Sequence, residues 1–162
     1  MITVGVLTIS DGAAKGERQD LSGERIRTLV AQYLPQATIQ ASSIIPDERD
    51  QIATLLRKWS DEEHLHLILT TGGTGFAPRD VTPEATREVI ERDAPGIAEA
   101  IRINSLKFTP MAMLSRGLAG IRGRSIIINL PGSPKAVQEC LEYVLPTLPH
   151  AINLLVEGPK EH

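Results

Sequence analysis

The residues of this chain best suited to chemistry by type and spacing lie between Thr70 and Glu84. The segment reads Thr-Thr-Gly-Gly-Thr-Gly-Phe-Ala-Pro-Arg-Asp-Val-Thr-Pro-Glu and directly follows an apolar run that predicts a buried strand. Glycine lets a backbone approach a ligand closely and leaves its N–H groups free to point at it. A strand, a glycine turn and a helix N-terminus together favour an anion, above all a phosphate.

Two aspartates could supply carboxylates to such a site. Asp80 follows Arg79 inside the glycine segment, where a phosphate-bound metal would sit. A plain strand-to-helix turn explains one glycine but not three glycines with an Arg-Asp pair, so we favour ligand binding there. Asp47 follows Pro46 at the end of another predicted strand. On position alone, Asp47 is equally suited to be the N-cap of the next helix.

A second glycine-containing turn reads Pro131-Gly132-Ser133-Pro134-Lys135. Ser133 is placed to cap the helix that follows, a role compatible with ligand binding. Lys135 would lie in the first helical turn, where the helix dipole disfavours a cation. Its presence there hints at a bound anion, but a solvated surface lysine explains it about as well.

The sequence lacks the motifs of several common kinds of site. The chain has no Walker sequence, and Gly73-Thr74-Gly75 continues to Pro78 where a dinucleotide fingerprint needs glycine. The four histidines show no metal-ligand spacing with cysteine, and no Gly-x-Ser-x-Gly elbow occurs. Phosphate handling with carboxylate-held magnesium remains, a chemistry that depends on positioning and charge neutralisation.

Composition bounds the class of protein. The 162 residues suit one domain, and 41% hydrophobic and 23% charged residues are ordinary for a globular protein. Only 3% are aromatic and the net charge is −3, which argues against a nucleic-acid partner. Cys140 is the single cysteine, so no intrachain disulfide is possible. Without a signal-peptide pattern or an apolar run of roughly 18 residues, we expect a cytoplasmic protein with no membrane partner.

The hydrophobic pattern predicts strands alternating with amphipathic helices. Strands are expected at residues 3–10, 38–45, 65–71, 113–121 and 125–130. This alternation predicts an α/β sandwich with a mostly parallel central sheet, in which the 113–130 hairpin can supply an antiparallel element. We expect one domain over residues 1–156 and a C-terminal tail over 157–162.

Four polar or glycine-rich loops follow strands in this scheme. They are Ser10-Asp11, Pro46-Asp47, Thr71 to Asp80, and Asn129 to Lys135. The ligands of an open parallel sheet bind outside the carboxyl ends of its strands. We therefore expect all four loops to contribute to one site.

Short motifs over nearly the whole chain carry a family resemblance. They are Ser10-Asp11 with Gly16, Asp20 and Ser22-Gly23; Ile45 to Glu48; Thr70 to Glu84; Leu106-Lys107 and Pro110; Met113 to Arg116; Ala119 to Gly123; and Asn129 to Gly132 with Pro134. In combination they make the chain resemble the Mog-type molybdopterin adenylyltransferases, the Mog/MoaB family that includes bacterial MogA and a domain of gephyrin.

The resemblance implies a three-layer α/β/α sandwich, the molybdopterin-binding fold, and a homotrimer. It also implies a reaction in which the terminal phosphate of molybdopterin attacks the α-phosphate of Mg-ATP and pyrophosphate is released. The product would be adenylyl-molybdopterin, which then receives molybdenum. A separate molybdenum-insertion protein is the partner that this family pattern suggests.

The resemblance further assigns roles to individual residues. It implies that Asp47 and Asp80 are the catalytic carboxylates and organise Mg²⁺. The residues expected to bind ATP phosphates are Thr71, Gly72, Gly73, Thr74, Gly75 and Arg79. Those expected to line the pterin and nucleotide pockets are Ser10, Asp11, Ser115, Pro131, Gly132, Ser133 and Lys135.

Two other functions stay open. Some related MoaB proteins lack clear adenylyltransferase activity, so the chain could be a non-catalytic pterin-binding or scaffold protein. It could also be a nucleotide-binding α/β domain of other specificity. The intact sequence from Arg79 to Pro83 favours the active enzyme.

Overall fold

A six-stranded mixed sheet forms the centre of the protein in a computed structural model, which describes residues 1–159. The strands in chain order are β1 (Ile2–Ile9), β2 (Ala37–Ile45), β3 (Leu67–Thr71), β4 (Arg92–Asp93), β5 (Ala119–Arg122) and β6 (Ser125–Leu130). Their order across the sheet is β2-β1-β3-β6-β5-β4. The first four strands in this order pair in parallel, whereas β5 and β4 run antiparallel to their neighbours. The prediction of a mostly parallel sheet with an antiparallel element is confirmed, and that element includes the β5–β6 hairpin over residues 119–130.

Helices cover both faces of the sheet, so the protein is the expected three-layer α/β/α sandwich. They are α1 (Asp11–Ala14), α2 (Leu21–Tyr33), α3 (Arg49–Asp61), α4 (Thr82–Val89), α5 (Pro95–Ser105), α6 (Pro134–Val144) and α7 (Leu148–Glu157). One apolar core packs α2, α5, α6 and α7 against one face, and the other packs α3 and α4 against the opposite face. Within residues 1–159 none of these helices combines the length and apolarity that a membrane crossing requires.

Sequence patterns explain why these elements form. Every residue of β3 and β6 is buried, as continuous apolar runs in a doubly covered parallel sheet should be. In α3, Ile52, Leu56 and Trp59 are buried at helical spacing. Trp59 is therefore a core residue, as its position predicted.

The crossover connections place a topological switch point between β1 and β3. The chain leaves β1 through α2 to reach β2 on one side, then returns through α3 to β3 on the other side. The loops that follow these strands consequently diverge and leave a crevice at their carboxyl ends. All four loops singled out above follow parallel strands and lie at this edge.

The structure corrects several boundaries. Residues 110–114 form a 3-10 helix, and β5 begins only at Ala119, so the strand expected at 113–121 is wrong in its first half. Pro110 and the hydroxyl of Thr109, which accepts from the Met111 N–H, favour that turn. The loop expected at 11–20 contains α1.

The C-terminal region also differs from the expectation. The single last helix predicted there is divided into α6, a 3-10 turn at Leu145–Thr147, and α7, because Pro146 and Pro149 each lack the N–H that a continuous helix needs. Helix α7 extends through Glu157, into the predicted tail. Residues 160–162 of that tail lie outside the described residues.

We predict that Leu56→Ala lowers the free energy of unfolding by about 2–5 kcal/mol, because a fully buried leucine side chain would leave a cavity between α3 and the sheet. Urea denaturation measures the change. Leu154→Ala makes the same truncation at a side chain that is 46% exposed and should lower it by less than about 1 kcal/mol. Equal losses in the two variants would contradict the assigned core.

Candidate active site

A cavity of about 540 Å³ opens at the carboxyl ends of the parallel strands. Its lining includes Thr8, Ile9, Ser10, Ala13, Arg18, Gln19, Asp20, Leu21, Ser22, Asp47, Thr71, Gly72, Gly73, Asp80, Gly132, Ser133 and Pro134. The loops after β1, β2, β3 and β6 all contribute to this set. The predicted convergence of the four loops is therefore confirmed, and the volume lies in the range of small-molecule sites.

Gly72 and Gly73 form the tight turn that follows β3. Gly72 has φ +98°, and a Cβ built on it would lie 2.2 Å from the carbonyl oxygen of Ile9. Gly73 has φ +69°, and its Cβ would lie 2.2 Å from the Thr82 hydroxyl oxygen. Only glycine fits such backbone conformations at such close approach, which explains the pair physically.

Hydroxyl groups attach this turn to its neighbours. Thr82 donates its hydroxyl to the Gly72 carbonyl (2.9 Å) and its N–H to the Gly73 carbonyl (3.1 Å). The Thr71 hydroxyl donates to the Pro131 carbonyl (2.6 Å), and the Ser22 hydroxyl donates to the Gly132 carbonyl (2.5 Å). The two glycine-containing turns are thus held together across the floor of the cavity.

Asp47 makes reciprocal hydrogen bonds with Asp11. The Asp11 N–H donates to Asp47 Oδ2 at 2.9 Å, and the Asp47 N–H donates to Asp11 Oδ1 at 3.0 Å. The N-cap of α3 is Glu48, so the alternative role of Asp47 as an N-cap is wrong. Burial raises the pKa of the Asp47 carboxyl, and the nearby charges of Asp11 and Asp80 act in the same direction.

Arg79 pairs with two carboxylates at the surface. Its Nε and one terminal nitrogen donate to the two carboxylate oxygens of Asp11, each at 3.0 Å, and the same terminal nitrogen donates to Glu48 at 2.9 Å. These contacts lower the pKa of Asp11 and raise that of Arg79. Arg79 therefore links the loops after β1, β2 and β3, all at an exposed surface.

Asp80 closes a small turn and faces the cavity. Its Oδ2 accepts from the Ala77 N–H at 3.0 Å, and its own N–H donates to the Ala77 carbonyl at 2.9 Å. A Cβ at Gly75 would lie 2.9 Å from the same carboxylate oxygen. Glycine at position 75 thus leaves room for the Asp80 carboxylate beside the loop.

The carboxylates suit a magnesium ion shared with a ligand. No group of three side chains able to hold a metal exists in residues 1–159, whereas Asp47 and Asp80 both line the cavity. Mg²⁺ commonly takes one or two carboxylates and completes its shell with water and substrate phosphates. The donor set therefore fits Mg²⁺ that arrives with a polyphosphate, and does not fit a protein-only metal site.

The remaining predicted residues are distributed over more than one surface. Ser10 and Ser133 line the cavity and cap α1 and α6 through bonds to the N–H groups of Ala13 and Ala136, each 3.2 Å. Gly75, Ser115 and Pro131 line a second, largely apolar cavity of about 260 Å³. Thr74 is buried and lines neither cavity, although its neighbour Gly73 lines the first cavity and its neighbour Gly75 lines the second.

Lys135 does not reach the main cavity. Its side chain is exposed and lies in a separate surface depression with Arg25, Phe108 and Gln138. Among the described residues that line the main cavity, Lys135 is absent. The structure therefore favours the interpretation of Lys135 as a surface lysine over a phosphate ligand.

The site also contains residues that the sequence-based assignment left out. Arg18, Gln19, Asp20 and Ser22 form one wall of the cavity. Asp20 caps α2 by accepting from the Gly23 N–H and also accepts from the Thr8 hydroxyl, each at 2.9 Å. The Asp20 and Ser22-Gly23 motif was a signal that could have identified this wall.

We predict that Asp47→Asn raises the stability of the ligand-free protein at neutral pH. Because its pKa is raised, Asp47 holds its proton more tightly in the folded than in the unfolded protein. Stability is therefore lost as the pH rises from the pKa of Asp47 in the unfolded chain to its higher pKa in the folded protein. Asparagine removes the charge and keeps an oxygen for the Asp11 N–H. The gain, measured by urea denaturation, should shrink as the pH falls towards about 4.

Asp11→Asn is the matched control for this experiment. The pKa of Asp11 is lowered by Arg79, so its ionised form is favoured in the folded state and its neutralisation should bring no gain at neutral pH. Equal gains in both variants would show that general relief of negative charge is responsible, and would contradict the assigned burial of Asp47.

Comparisons with known proteins agree with this geometry. The sequence profile of a family described as a probable molybdopterin binding domain matches residues 5–150. The molybdopterin adenylyltransferase of Helicobacter pylori is 48% identical over 155 residues, which are 96% of this chain and 88% of that protein. The molybdenum cofactor synthesis protein cinnamon of Drosophila melanogaster is 51% identical over 95% of this chain, which spans only 26% of cinnamon.

A solved structure shows the same fold. The crystal structure of the molybdopterin biosynthesis enzyme MoaB from Thermus thermophilus superposes with a TM-score of 0.91 and is 53% identical, covering 99% of this chain and 100% of that one. The family resemblance inferred from the motifs is thereby confirmed. The chain belongs to the molybdopterin-binding domain family, whose match covers the glycine turns, the three cavity aspartates and nearly all of the sheet.

Proposed function

We propose that this protein is a molybdopterin adenylyltransferase, which transfers AMP from ATP to the phosphate of molybdopterin in molybdenum cofactor biosynthesis. The observation that carries the proposal is the placement of Asp47 and Asp80 in one cavity with two glycine-containing turns. The adenylyltransferase of Helicobacter pylori, 48% identical to this chain, supports it. In this reaction a phosphate oxygen of molybdopterin bonds to the α-phosphorus of ATP, and the bond to the pyrophosphate leaving group breaks.

The walls of the cavity suit polyphosphate binding. Gly72 and Gly73 have left-handed backbones in the turn after β3, a geometry found in backbone sites for anions. The Gly72 N–H donates to the Leu130 carbonyl at 3.2 Å, so an anion would be bound by the N–H groups that follow it. Thr71 lies beside them, and Gly132 and Ser133 lie opposite at the N-terminus of α6, where the helix dipole favours negative charge. We assign Thr71, Gly72, Gly73, Gly132 and Ser133 to the phosphates of the substrates. The distribution of pterin and nucleotide between the two cavities stays open.

Charge explains the need for a cation. The cavity contains the carboxylates of Asp20, Asp47 and Asp80 and a single cationic side chain, Arg18, within the part of the chain that the structure describes. Two phosphorylated substrates would be repelled by such a lining unless positive charge accompanies them. When bound, Mg²⁺ would supply that charge and polarise the phosphoryl group, and Asp47 and Asp80 are the residues we assign to hold it.

Arg79 joins three loops, and its expected contact with ATP phosphates stays a prediction. Its guanidinium is already paired with Asp11 and Glu48, so the ligand-free protein uses it to join three loops. Any contribution of Arg79 to phosphate binding requires these exposed contacts to exchange. Its pairing also offsets the negative charge of Asp11 next to Asp47.

We predict that Asp80→Asn lowers turnover by about 10²-fold or more, because an electrostatic group at the reacting phosphates is removed. The assay follows adenylyl-molybdopterin from purified protein, molybdopterin and Mg-ATP by chromatography and mass. Asp50→Asn is the matched control, since Asp50 is exposed on α3 and is not among the described residues that line the cavity, so its loss should leave turnover within about twofold. Near-normal turnover in Asp80→Asn would remove Asp80 from the mechanism.

The same assay distinguishes the alternatives. Binding of molybdopterin without any adenylylated product would identify a non-catalytic pterin-binding or scaffold protein. ATP binding without pterin affinity would identify a nucleotide-binding domain of other specificity. Either result would refute the proposed transferase activity.

We also propose that the protein is a homotrimer of a single domain, which passes its product to a molybdenum-insertion protein. An exposed apolar surface supports self-association. It is formed at the end of α5 and the following 3-10 helix by Ile103, Leu106, Phe108, Met111 and Met113, which are 44–68% exposed. An isolated chain with such a surface would be prone to associate.

Light scattering tests the oligomer, and we expect a mass near three times the 17.6 kDa chain. Met111→Glu with Met113→Glu should reduce that mass, because two carboxylates in an apolar interface would be desolvated without partners. Lys58→Glu, on the other face of the molecule at the end of α3, is the control. A monomeric mass for the parent chain would refute the trimer without bearing on catalysis.

A further inference from the structure

Arg116 holds both ends of the glycine segment. Its Nε donates to the Gly75 carbonyl at 2.8 Å, and one terminal nitrogen donates to the Asp80 carbonyl at 2.7 Å. The backbone N–H of Arg116 donates to the Thr74 carbonyl at 2.8 Å. One residue, distant in sequence, therefore contacts three carbonyl groups of the segment that carries Asp80.

The segment has little else to fix its shape. Residues 76–79 are exposed, and Phe76 is 70% exposed, so no core packing restrains them. The turn between Ala77 and Asp80 is local, and the Arg79 contacts lie at the surface. Hydrogen bonds from a charged donor are stronger than those between neutral groups. The partly buried Arg116 contacts therefore restrain the segment together with Thr82 and the exposed ion pairs of Arg79.

Arg116 contacts the glycine segment from a surface groove and not from the main cavity. It lies with Glu84 in a surface groove between α3 and α4, which also contains Arg49, Pro83 and Arg87. Within the described residues it has no place in the lining of the main cavity, so it does not touch a ligand there. The Glu84 carboxylate accepts from its remaining terminal nitrogen at 2.7 Å. This pair orients the guanidinium so that its other nitrogens meet the two carbonyls.

We infer that Arg116 is a positioning residue, which holds segment 74–80 in the conformation that presents the Asp80 carboxylate to the cavity. The inference rests on the proposed adenylyl transfer for its effect on turnover. Its structural part is independent of that reaction. Lysine cannot replace the guanidinium, because a single ammonium nitrogen cannot reach Gly75, Asp80 and Glu84 with the fixed fork of arginine.

The first experiment measures amide hydrogen exchange in the ligand-free protein. The N–H groups of Ala77 and Asp80 are hydrogen bonded within the segment and serve as reporters. In Arg116→Gln they should exchange at least about tenfold faster, while the amides of β1 and β3 keep their rates, because only local opening becomes easier. Arg87→Gln is the control, since Arg87 lies in the same groove and forms an ion pair with the exposed Asp93 instead of contacting the glycine segment within residues 1–159. Unchanged exchange at Ala77 and Asp80 would overturn the inference.

The second experiment compares Arg116→Gln, Asp80→Asn and the double variant in the adenylyl-transfer assay. Misplacement of a reacting group by about 1 Å can lower turnover by about 10²-fold, so we expect kcat to fall by roughly 10–100-fold in Arg116→Gln with KM for ATP little changed. If Arg116 acts through Asp80, the double variant loses no more than Asp80→Asn alone. Multiplicative losses would show an independent role and overturn the inference.

Arg116→Lys separates charge from geometry. It keeps the positive charge beside Glu84, so a purely electrostatic role predicts recovery of parental kcat and exchange rates, which would overturn the inference. We expect it to behave like Arg116→Gln in both measurements. If the parent protein shows no turnover at all, the proposed function fails, whereas the exchange measurements still decide whether Arg116 holds the segment.

Discussion

Parallel pairing of β2, β1, β3 and β6 is the constraint on which the rest of the structure depends. It brings the carboxyl ends of all four strands to one edge, and the change of direction between β1 and β3 opens a crevice there. The backbone of Gly72 then passes so close to the Ile9 carbonyl that no side chain fits between them. The close spacing of the neighbouring strands β1 and β3 thus requires glycine at position 72, on the floor of the crevice.

Electrostatics oppose stability at this edge. The ligand-free cavity holds several carboxylates, and the ionised form of Asp47 is disfavoured by burial and by its neighbours. Arg79 relieves part of this repulsion by pairing with Asp11 and Glu48. Such a concentration of like charge is unfavourable for the empty protein and useful once a cation and phosphates arrive. Sites of this kind are where stability and function conflict.

The glycine segment has an exposed tip, but both of its ends are held by hydrogen bonds. Its exposed tip has no packing of its own, and yet its ends are attached to rigid elements by Thr82 on α4 and by Arg116 before β5. Attachment through backbone carbonyls fixes the path of the chain without occupying the cavity. The loop can therefore present the Asp80 carboxylate to the cavity that the glycine turn also lines.

Much of this protein was determined by the sequence alone. Apolar runs and helical spacing predicted the parallel α/β sandwich, and the Gly-Gly turn, Asp47 and Asp80 predicted the place of the cavity, because these signals are local. Only the tertiary structure decided that Asp47 bonds to Asp11 instead of capping α3, that Lys135 lies outside the cavity, and that Arg116 supports the glycine segment. The contacts of Asp11 with Asp47 and of Arg116 with Asp80 and Glu84 join residues that are at least 32 positions apart. No local sequence pattern encodes the direction in which a long side chain meets a distant carbonyl.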